Sequence, residues 1–470
     1  MSTGRWLLVG ALVLGTALVV LLDASGIILD PDAGPEPVAT AATSSPSTPE
    51  PTSVASPTLP LAPVLAAGGG GLRPATVKAL RRALADPALG AGVSALVVNG
   101  ENRSLFGLRP TSTVAPASTL KLLTSVAALE YLGPNTRLQT QVVDGTRTDH
   151  LVLVGGGDAT LARESAPGPR AEDDPASLEQ LARATAAQLR SRGQTSVRLA
   201  YDDSAFVGPA ISPAWEPDYV TSGEIAPVTA LMVDEGVLDP GSGGVERADD
   251  PARQAATVFA AELAAQHITV RGPVQKVTAP AAGATDPPVA MVESPPVALL
   301  VERMLTDSDN QLAEALGRLA AAADGRPASF SGATAALRDA ATTADVPVRG
   351  LTIFDASGLA RGDRLTVRTL SSCLAAAAAD DALRPVLVGL PVAGFSGTLD
   401  DRYLRPPSRR AAGLIRAKTG TLTGVTAQAG VVVSADGDLR IFAVVADEVP
   451  YDTDAARQAM DDAMSLLAGP

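Results

Sequence analysis

The chain has 470 residues, which allows two or three domains, and its 46% hydrophobic content is ample for a large core. A formal net charge of -14 and an aromatic content of only 3% argue against nucleic acid as a partner. The single cysteine, Cys373, excludes an intrachain disulfide. It lies in an apolar run, where we expect it to be a buried small hydrophobe.

The N-terminus has the pattern of a membrane-targeting segment. Arg5 precedes the apolar run 6–22, which is just long enough to span a bilayer and slightly longer than the usual core of a signal peptide. The run is a transmembrane anchor or a cleaved signal. We favour the anchor because no clear small-residue cleavage site follows. Residues 1–5 would form a short cytoplasmic end, and the charge bias across the run predicts that the rest of the chain is extracytoplasmic.

A linker and a first set of elements follow this segment. Residues 23–71 are rich in Pro, Ser, Thr, Ala and Gly, which predicts an extended linker without a core of its own. The folded part then begins with a predicted helix, a hairpin and a second helix, over residues 75–85, 92–107 and 118–132.

The remainder reads as a domain that is interrupted by another body. The pattern over residues 136–288 predicts an inserted α/β region. It contains a hairpin at 139–154, helices at 176–192 and 251–266, and strands at 196–201 and 268–270. After it, helices are predicted at 295–305, 311–323 and 454–467, and strands at 416–423, 426–433 and 439–446. The expected fold class is α+β, with an antiparallel sheet flanked by helices and a helical lobe. The catalytic domain would comprise residues 72–135 and 289–470.

Three short motifs carry the chemistry of this chain. They are, in chain order, Ser118-Thr-Leu-Lys121, Ser308-Asp-Asn310 and Lys418-Thr-Gly-Thr421. Lysine and asparagine occur only four times each in the sequence, yet the motifs contain two of the lysines and one of the asparagines. An SxxK motif alone is weak evidence, since it often arises by chance. The three motifs in this order predict acyl transfer through a serine ester.

A serine nucleophile needs a base within reach. The only histidines are His150 and His267, in predicted strand or hairpin contexts, and no Gly-x-Ser-x-Gly elbow occurs, which argues against a histidine triad. Lys121 lies three residues after Ser118 on the same helical face. It can act as the base if burial or a neighbouring cation, for which Lys418 is the candidate, lowers its pKa. The alternative is that Ser118 is only a helix N-cap.

These motifs, with several other stretches, resemble the D-alanyl-D-alanine carboxypeptidase/endopeptidase family, the class C low-molecular-mass penicillin-binding proteins of peptidase family S13. The likeness covers roughly residues 75–465. The further stretches are 153–161, 202–206, 213–215, 226–230, 355–361, 397–399 and 416–424. The long insertion between the first two motifs is also typical of this class. Ala356 and Gln428 depart from the residues that the family usually has, without touching the motifs.

The resemblance implies a penicillin-binding, β-lactamase-like transpeptidase fold and a role for each motif residue. Ser118 would attack the penultimate D-Ala carbonyl and Lys121 would take its proton. Ser308 would relay a proton to the leaving amine, and Asn310 would hold the substrate amide. The N–H groups of Ser118 and Thr421 would form the oxyanion hole.

The third motif would bind the substrate. Lys418, Thr419, Gly420 and Thr421 would surround the terminal carboxylate, with Lys418 as a catalytic cation. The resemblance further implies that Arg361 and Asp202 contact the free end of a diamino acid in the stem peptide. The alternative for these two is a loop-stabilising ion pair or cap. No cofactor or metal is implied.

The expected partners are peptidoglycan stem peptides as substrates and β-lactam antibiotics as covalent inhibitors. Two alternative functions remain at this stage. A β-lactamase needs a base for fast deacylation, and no glutamate-x-x-Leu-Asn context supplies one. A catalytically silent wall-binding protein would not require the intact motif set. The sequence leaves open whether a peptidase would act as a carboxypeptidase, as an endopeptidase on D-Ala-diamino acid cross-links, or as both.

Overall fold

The computed structural model describes residues 71–166, 173–242, 245–279, 287–450 and 453–469. The predicted segments 1–5 and 6–22, and the linker up to residue 70, lie outside these ranges. Within the described ranges, no helix is both long and apolar enough to cross a membrane.

The described part contains helices and strands throughout. The helices are α1 Pro74–Ala83, α2 Lys121–Leu132, α3 Leu178–Ser191, α4 Pro251–Ala265, α5 Val297–Thr306, α6 Asn310–Ala323, α7 Phe330–Thr343, α8 Val367–Ala379, α9 Pro385–Val388 and α10 Thr453–Ser465. The strands are β1 Val93–Asn99, β2 Ser104–Leu108, β3 Thr113–Val114, β4 Arg137–Asp144, β5 His150–Val154, β6 Ser196–Asp202, β7 Thr269–Val270, β8 Gln275–Lys276, β9 Ala290–Pro296, β10 Leu365–Thr366, β11 Ile415–Leu422, β12 Val425–Val433 and β13 Leu439–Ala446.

A five-stranded antiparallel sheet of order β11-β12-β13-β1-β2 combines strands that precede and strands that follow residues 136–288. Its three inner strands, β12, β13 and β1, are buried on both faces because their side chains alternate between two cores. In β13, Phe442 and Val444 pack in one core with α1 and α10, whereas Ile441 and Ala443 pack in the other. The predicted hairpin around residue 99 is confirmed: Asn99 Oδ1 accepts from Arg103 N at 2.9 Å.

The second face of this sheet packs against a helical lobe. Helices α2, α5, α6, α7 and α8 share one core, in which Cys373 is fully buried as expected. The strand β11 lies at the edge of the sheet, and the turn that precedes α2 packs on it. The predicted α+β architecture, with a sheet between terminal helices and a helical lobe, is therefore confirmed.

The inserted region forms its own mixed sheet. Strands in the order β7-β6-β5-β4-β9, with β8 also paired to β6, pack against α3 and α4 in a separate core. The sheet includes β9, so it extends beyond the predicted boundary at residue 288. Part of the region also joins the helical lobe: Phe206, Trp215 and Met232 belong to the core of that lobe. This contact brings segments of the inserted region to the motifs.

Candidate active site

A cavity of about 1380 Å³ is lined by residues from the central sheet, the helical lobe, the inserted region and α10. All three motifs contribute to its wall, through Ser118, Ser308, Asn310, Thr419 and Thr421. The structure thus brings together around one cavity residues that are far apart along the chain.

Ser118 lies in a tight turn that precedes the helix. The turn is a 3₁₀ helix, Ala117–Leu120, and α2 begins only at Lys121, so the prediction that the helix begins at Ser118 was wrong by one turn. Ser118 is the N-cap of neither element, which removes helix capping as its explanation. The preceding residue, Ala117, has a φ of 47°, a left-handed conformation that is costly for any residue with a side chain.

Two glycines hold this turn from opposite sides. A Cβ atom on Gly358 would overlap the carbonyl oxygen of Ala117. On the β11 side, a Cβ atom on Gly420 would lie 2.8 Å from Pro116 O and 3.2 Å from Ser118 N. Both positions therefore require the absence of a side chain, because the backbone of each packs directly on the turn. The glycine of the third motif positions Ser118 against β11.

The amino group of Lys121 is fully buried and points at the serine. Its Nζ lies 3.0 Å from Ser118 Oγ, 2.7 Å from Asn310 Oδ1 and 2.8 Å from the carbonyl oxygen of Ser357. These three contacts fix the amino group within hydrogen-bond reach of the hydroxyl that it would deprotonate.

Burial lowers the pKa of Lys121 from 10.5 to about 8, and the nearby carboxylates of Asp355 and Asp309 oppose this shift. Of the two causes that the sequence left open, burial and a neighbouring cation, burial is the one that lowers the pKa of Lys121. The pKa of Lys418 is lowered well below its usual value, by burial and by the charge of Lys121.

The second motif joins α5 to α6. Ser308 lines the cavity and, like Ala117, has a left-handed backbone conformation, with a φ of 59°. Asp309 caps α6, since its Oδ1 accepts from Leu312 N at 2.9 Å. Asn310 accepts from Lys121 and its Nδ2 donates to Glu224 O at 3.0 Å, so its amide orientation is defined from both sides.

The third motif lies on the edge strand β11. Lys418 is fully buried and donates to Thr419 O at 2.9 Å. The hydroxyls of Thr419 and Thr398 are 2.7 Å apart. The first part of β11 is covered, since Ala417 N donates to Pro391 O at 2.9 Å. The part that follows lines the cavity, and it offers an open strand edge to an extended peptide.

The structure separates the two residues expected at the far end of a stem peptide. Arg361 lines the cavity, where its Nε lies 2.9 Å from Glu216 Oε1 and its Nη1 donates to Thr423 O at 3.2 Å. It thus connects the end of β11 to the inserted region. Glu216 gave no signal in the sequence, because an isolated glutamate in a loop matches no motif.

Asp202 does not line this cavity. Its side chain is buried at the end of β6, where Oδ1 accepts from Ser204 N at 2.8 Å and Oδ2 from Ala279 N at 2.6 Å. Both carboxylate oxygens are engaged by backbone within the inserted region, as in the loop-stabilising alternative.

A buried carboxyl group behind the site was missed by the sequence analysis. Glu314 Oε1 accepts from Ala356 N at 3.0 Å and from Ser357 N at 2.8 Å, which fixes the loop whose carbonyl binds Lys121. Asp355 holds the same loop, accepting from Gly358 N at 2.9 Å. Glu314 lies one helical turn after the second motif, and this spacing could have been read as a sign that it faces the same side.

The comparisons with known proteins agree with one another. The model of the D-Ala-D-Ala carboxypeptidase 3 (S13) family matches residues 76–242 and 242–469. The carboxypeptidase Rv3627c of Mycobacterium tuberculosis is 36% identical over 388 residues, which cover 82% of this chain and 81% of that protein. The carboxypeptidase DacB of Mycolicibacterium smegmatis is 36% identical over 377 residues, 78% of this chain and 79% of that protein.

A solved structure shares the fold. The crystal structure of penicillin binding protein 4 (dacB) from Haemophilus influenzae superposes with a TM-score of 0.67 at 21% sequence identity, over 84% of this chain and 99% of that one.

Proposed function

Because the chain belongs to the D-Ala-D-Ala carboxypeptidase 3 (S13) family, we propose that it is a serine DD-peptidase that cleaves peptidoglycan stem peptides through an acyl-enzyme on Ser118. One observation carries this proposal. The buried amine of Lys121 lies 3.0 Å from Ser118 Oγ, and its pKa is lowered to about 8, so a larger fraction of this lysine is neutral and able to act as the base near neutral pH than of an ordinary lysine.

In the acylation step, Ser118 Oγ forms a bond to the carbonyl carbon of the penultimate D-Ala while its proton moves to Lys121 Nζ. The carbonyl oxygen becomes an oxyanion, which the N–H groups of Ser118 and Thr421 stabilise; one such donor is worth about 3–4 kcal/mol in other enzymes. Gly420 supports this arrangement, since it allows β11 to approach Ser118 N closely.

The C–N bond of the tetrahedral intermediate then breaks. The proton that Lys121 took from Ser118 passes through the hydroxyl of Ser308 to the leaving amine, and Ser308 lines the cavity beside Asn310. Asn310 would hold the substrate amide with its side chain. Water then attacks the ester, and the hydrolysis releases the shortened peptide and restores Ser118 with its proton.

The third motif would hold the C-terminal part of the substrate. Its open strand edge would pair with the peptide backbone, and the hydroxyls of Thr419 and Thr421 would bind the terminal carboxylate, with the buried Lys418 behind them. We propose endopeptidase activity on D-Ala-diamino acid cross-links as an extension of the same chemistry, because only the leaving amine differs. Arg361 would then contact the free end of a diamino acid, in place of its present partner Glu216.

We test this proposal with purified muropeptides and labelled penicillin. The wild-type protein should release D-Ala from uncross-linked stems, read by mass, and penicillin should label it once. Ser118→Ala should lose both the label and the release of D-Ala. Lys121→Arg should lose them too, because arginine does not give up its proton, whereas Lys78→Arg on the exposed face of α1 should behave as the wild type.

Labelling that survives in Ser118→Ala would refute the proposal. A label that turns over rapidly without release of D-Ala from muropeptides would favour a β-lactamase. Incubation with cross-linked muropeptides tests the proposed endopeptidase activity separately, since that activity releases the two stems from each other.

We also propose that the protein acts outside the cytoplasm, held to the membrane by residues 6–22 or secreted after their cleavage. The apolar run after Arg5 supports export. Fractionation of cells that express the full chain distinguishes an anchored protein, found in the membrane fraction, from a secreted one, found in the medium. A variant that lacks residues 1–65 serves as the comparison. Soluble, active protein is expected from the truncated variant.

A further inference from the structure

The C-terminal helix places a cation beside the third motif. Arg457 lies in α10, and its Nη2 is 3.4 Å from Thr421 Oγ1. Both residues line the cavity, together with Ser118 and Thr419. No motif predicted this contact, because α10 reads in the sequence only as an amphipathic terminal helix.

A buried network holds this part of α10 against the cavity wall. Arg402 binds Asp461 of α10 through two hydrogen bonds, at 3.0 and 2.6 Å, and also donates to the carbonyl oxygen of Arg457 at 3.3 Å. From the sheet side, Gln428 Nε2 donates to Asp461 Oδ1 at 2.7 Å. The backbone that carries Arg457 is therefore fixed, which reduces the entropy cost of using its side chain as a binding group.

The charge of Arg457 is only weakly satisfied by the protein. Its guanidinium lies 3.3 Å from Asp454, whose side chain is 91% exposed, and such exposed pairs contribute little. The guanidinium of an arginine is a planar fork of donors that matches the geometry of a carboxylate. A carboxylate held by Thr421 would therefore lie within reach of a fixed, available cation.

We propose that Arg457 is a specificity-determining residue that binds the free carboxylate of the substrate's C-terminal D-residue, together with Thr421. It makes the enzyme select peptides that end in a carboxylate over the same peptides with an uncharged end. This inference rests on the proposed DD-peptidase function, and it adds a residue from α10 to the carboxylate site of the third motif.

Two substrates test the inference. One is an acylated tripeptide that ends in D-Ala-D-Ala with a free carboxylate, and the other is the same peptide as its C-terminal amide. Arg457→Ala should lower kcat/KM for the free acid by about 10- to 100-fold, the effect of losing one charge-assisted hydrogen bond. It should leave kcat/KM for the amide within about twofold, since that end makes no charged contact.

Arg457→Lys should retain part of the preference for the acid, and the neutral Arg457→Gln should lose it. Arg409→Ala, which removes an exposed positive charge outside the cavity, should match the wild type on both peptides. Thermal unfolding of each variant identifies any loss of fold. If Arg457→Ala is unfolded, the preference for the acid in Arg457→Lys and Arg457→Gln shows whether the charge of Arg457 is responsible for it.

An equal loss on both peptides in Arg457→Ala and Arg457→Gln would overturn the inference, and so would a wild type that cleaves both peptides equally well. A wild type that cleaves neither peptide would instead contradict the proposed function itself.

Discussion

The backbone of Ser357 connects the buried carboxyl group of Glu314 to the amino group of Lys121. Its N–H donates to Glu314 Oε1 at 2.8 Å, and its carbonyl oxygen accepts from Lys121 Nζ at 2.8 Å. The lysine beside Ser118 is therefore oriented by a loop that the protein interior fixes. Hydrogen bonds of this kind, one shell away from the reacting atoms, are a common way to hold a base in its productive rotamer.

The pH dependence of acylation should follow the titration of Lys121. Below its pKa of about 8 the lysine is mostly protonated and does not accept the serine proton. We therefore expect the rate of penicillin acylation to rise about tenfold per pH unit below that value and to level off above it. Labelling rates measured on both sides of this pH provide the check. A rate that stays constant below the pKa would show that Lys121 is not the base.

Gly420→Ala should slow acylation strongly. A Cβ atom at this position would lie 2.8 Å from Pro116 O and 3.2 Å from Ser118 N, so β11 must move away from the nucleophile turn. Because misplacement by about 1 Å can cost about 100-fold in rate, we expect a loss of that order with penicillin.

Gly107→Ala is the matched control, since it adds a methyl group to another strand of the same sheet. There the nearest atom, Pro110 Cγ, is 3.5 Å away, which is an ordinary contact. Equal loss of acylation in the two variants would mean that the sheet tolerates no alanine, and that the contact with Ser118 is not the reason.

The grouping of the three motifs at one site was predictable from the sequence, because they contain lysines and an asparagine, which are rare in this chain. Lys121 follows Ser118 by one turn, so the sequence alone places them together. Glu314 and Arg457 could not be assigned in this way, since their contacts with Ser357 and Thr421 depend on how distant segments pack. Asp202 lies in one of the family-like stretches, but the fold directs its side chain into backbone hydrogen bonds, as in the loop-stabilising alternative.

The stability of the protein should respond to pH through Glu314. Burial raises the pKa of this carboxyl above its ordinary value of 4.5, with the charge of Asp355 as the second cause. As the pH rises above 4.5, Glu314 loses its proton in the unfolded chain but keeps it in the folded one. This difference lowers the free energy of unfolding with increasing pH.

Glu314→Gln removes the titrating group and keeps an oxygen that accepts from Ala356 N and Ser357 N. We expect the stability of this variant, relative to the wild type, to increase from pH 4.5 towards neutral pH. Urea unfolding of both proteins at several pH values measures the difference, in which the other titrating groups cancel. A difference that does not change with pH would mean that Glu314 is ionised in the folded protein.

The role of Arg361 can be separated from that of the reaction centre by the length of the substrate. A stem peptide with a free diamino-acid end would extend to Arg361, whereas penicillin and a short D-Ala-D-Ala peptide would not. Because binding energy from a remote part of the substrate can raise turnover as well as affinity, Arg361→Ala should slow cleavage of the long stem. Penicillin acylation should remain nearly unchanged.

Glu216→Gln supplies the control, since it weakens the same ion pair while leaving the arginine in place. Arg361 Nε lies 2.9 Å from Glu216 Oε1, and both side chains are about two-fifths exposed, at 42% and 43%. If Arg361 binds the stem, Glu216→Gln frees the guanidinium and cleavage of the long stem is maintained or faster. If the pair only holds the loop against β11, both variants lose activity on long stems, and penicillin acylation falls as far as peptide cleavage.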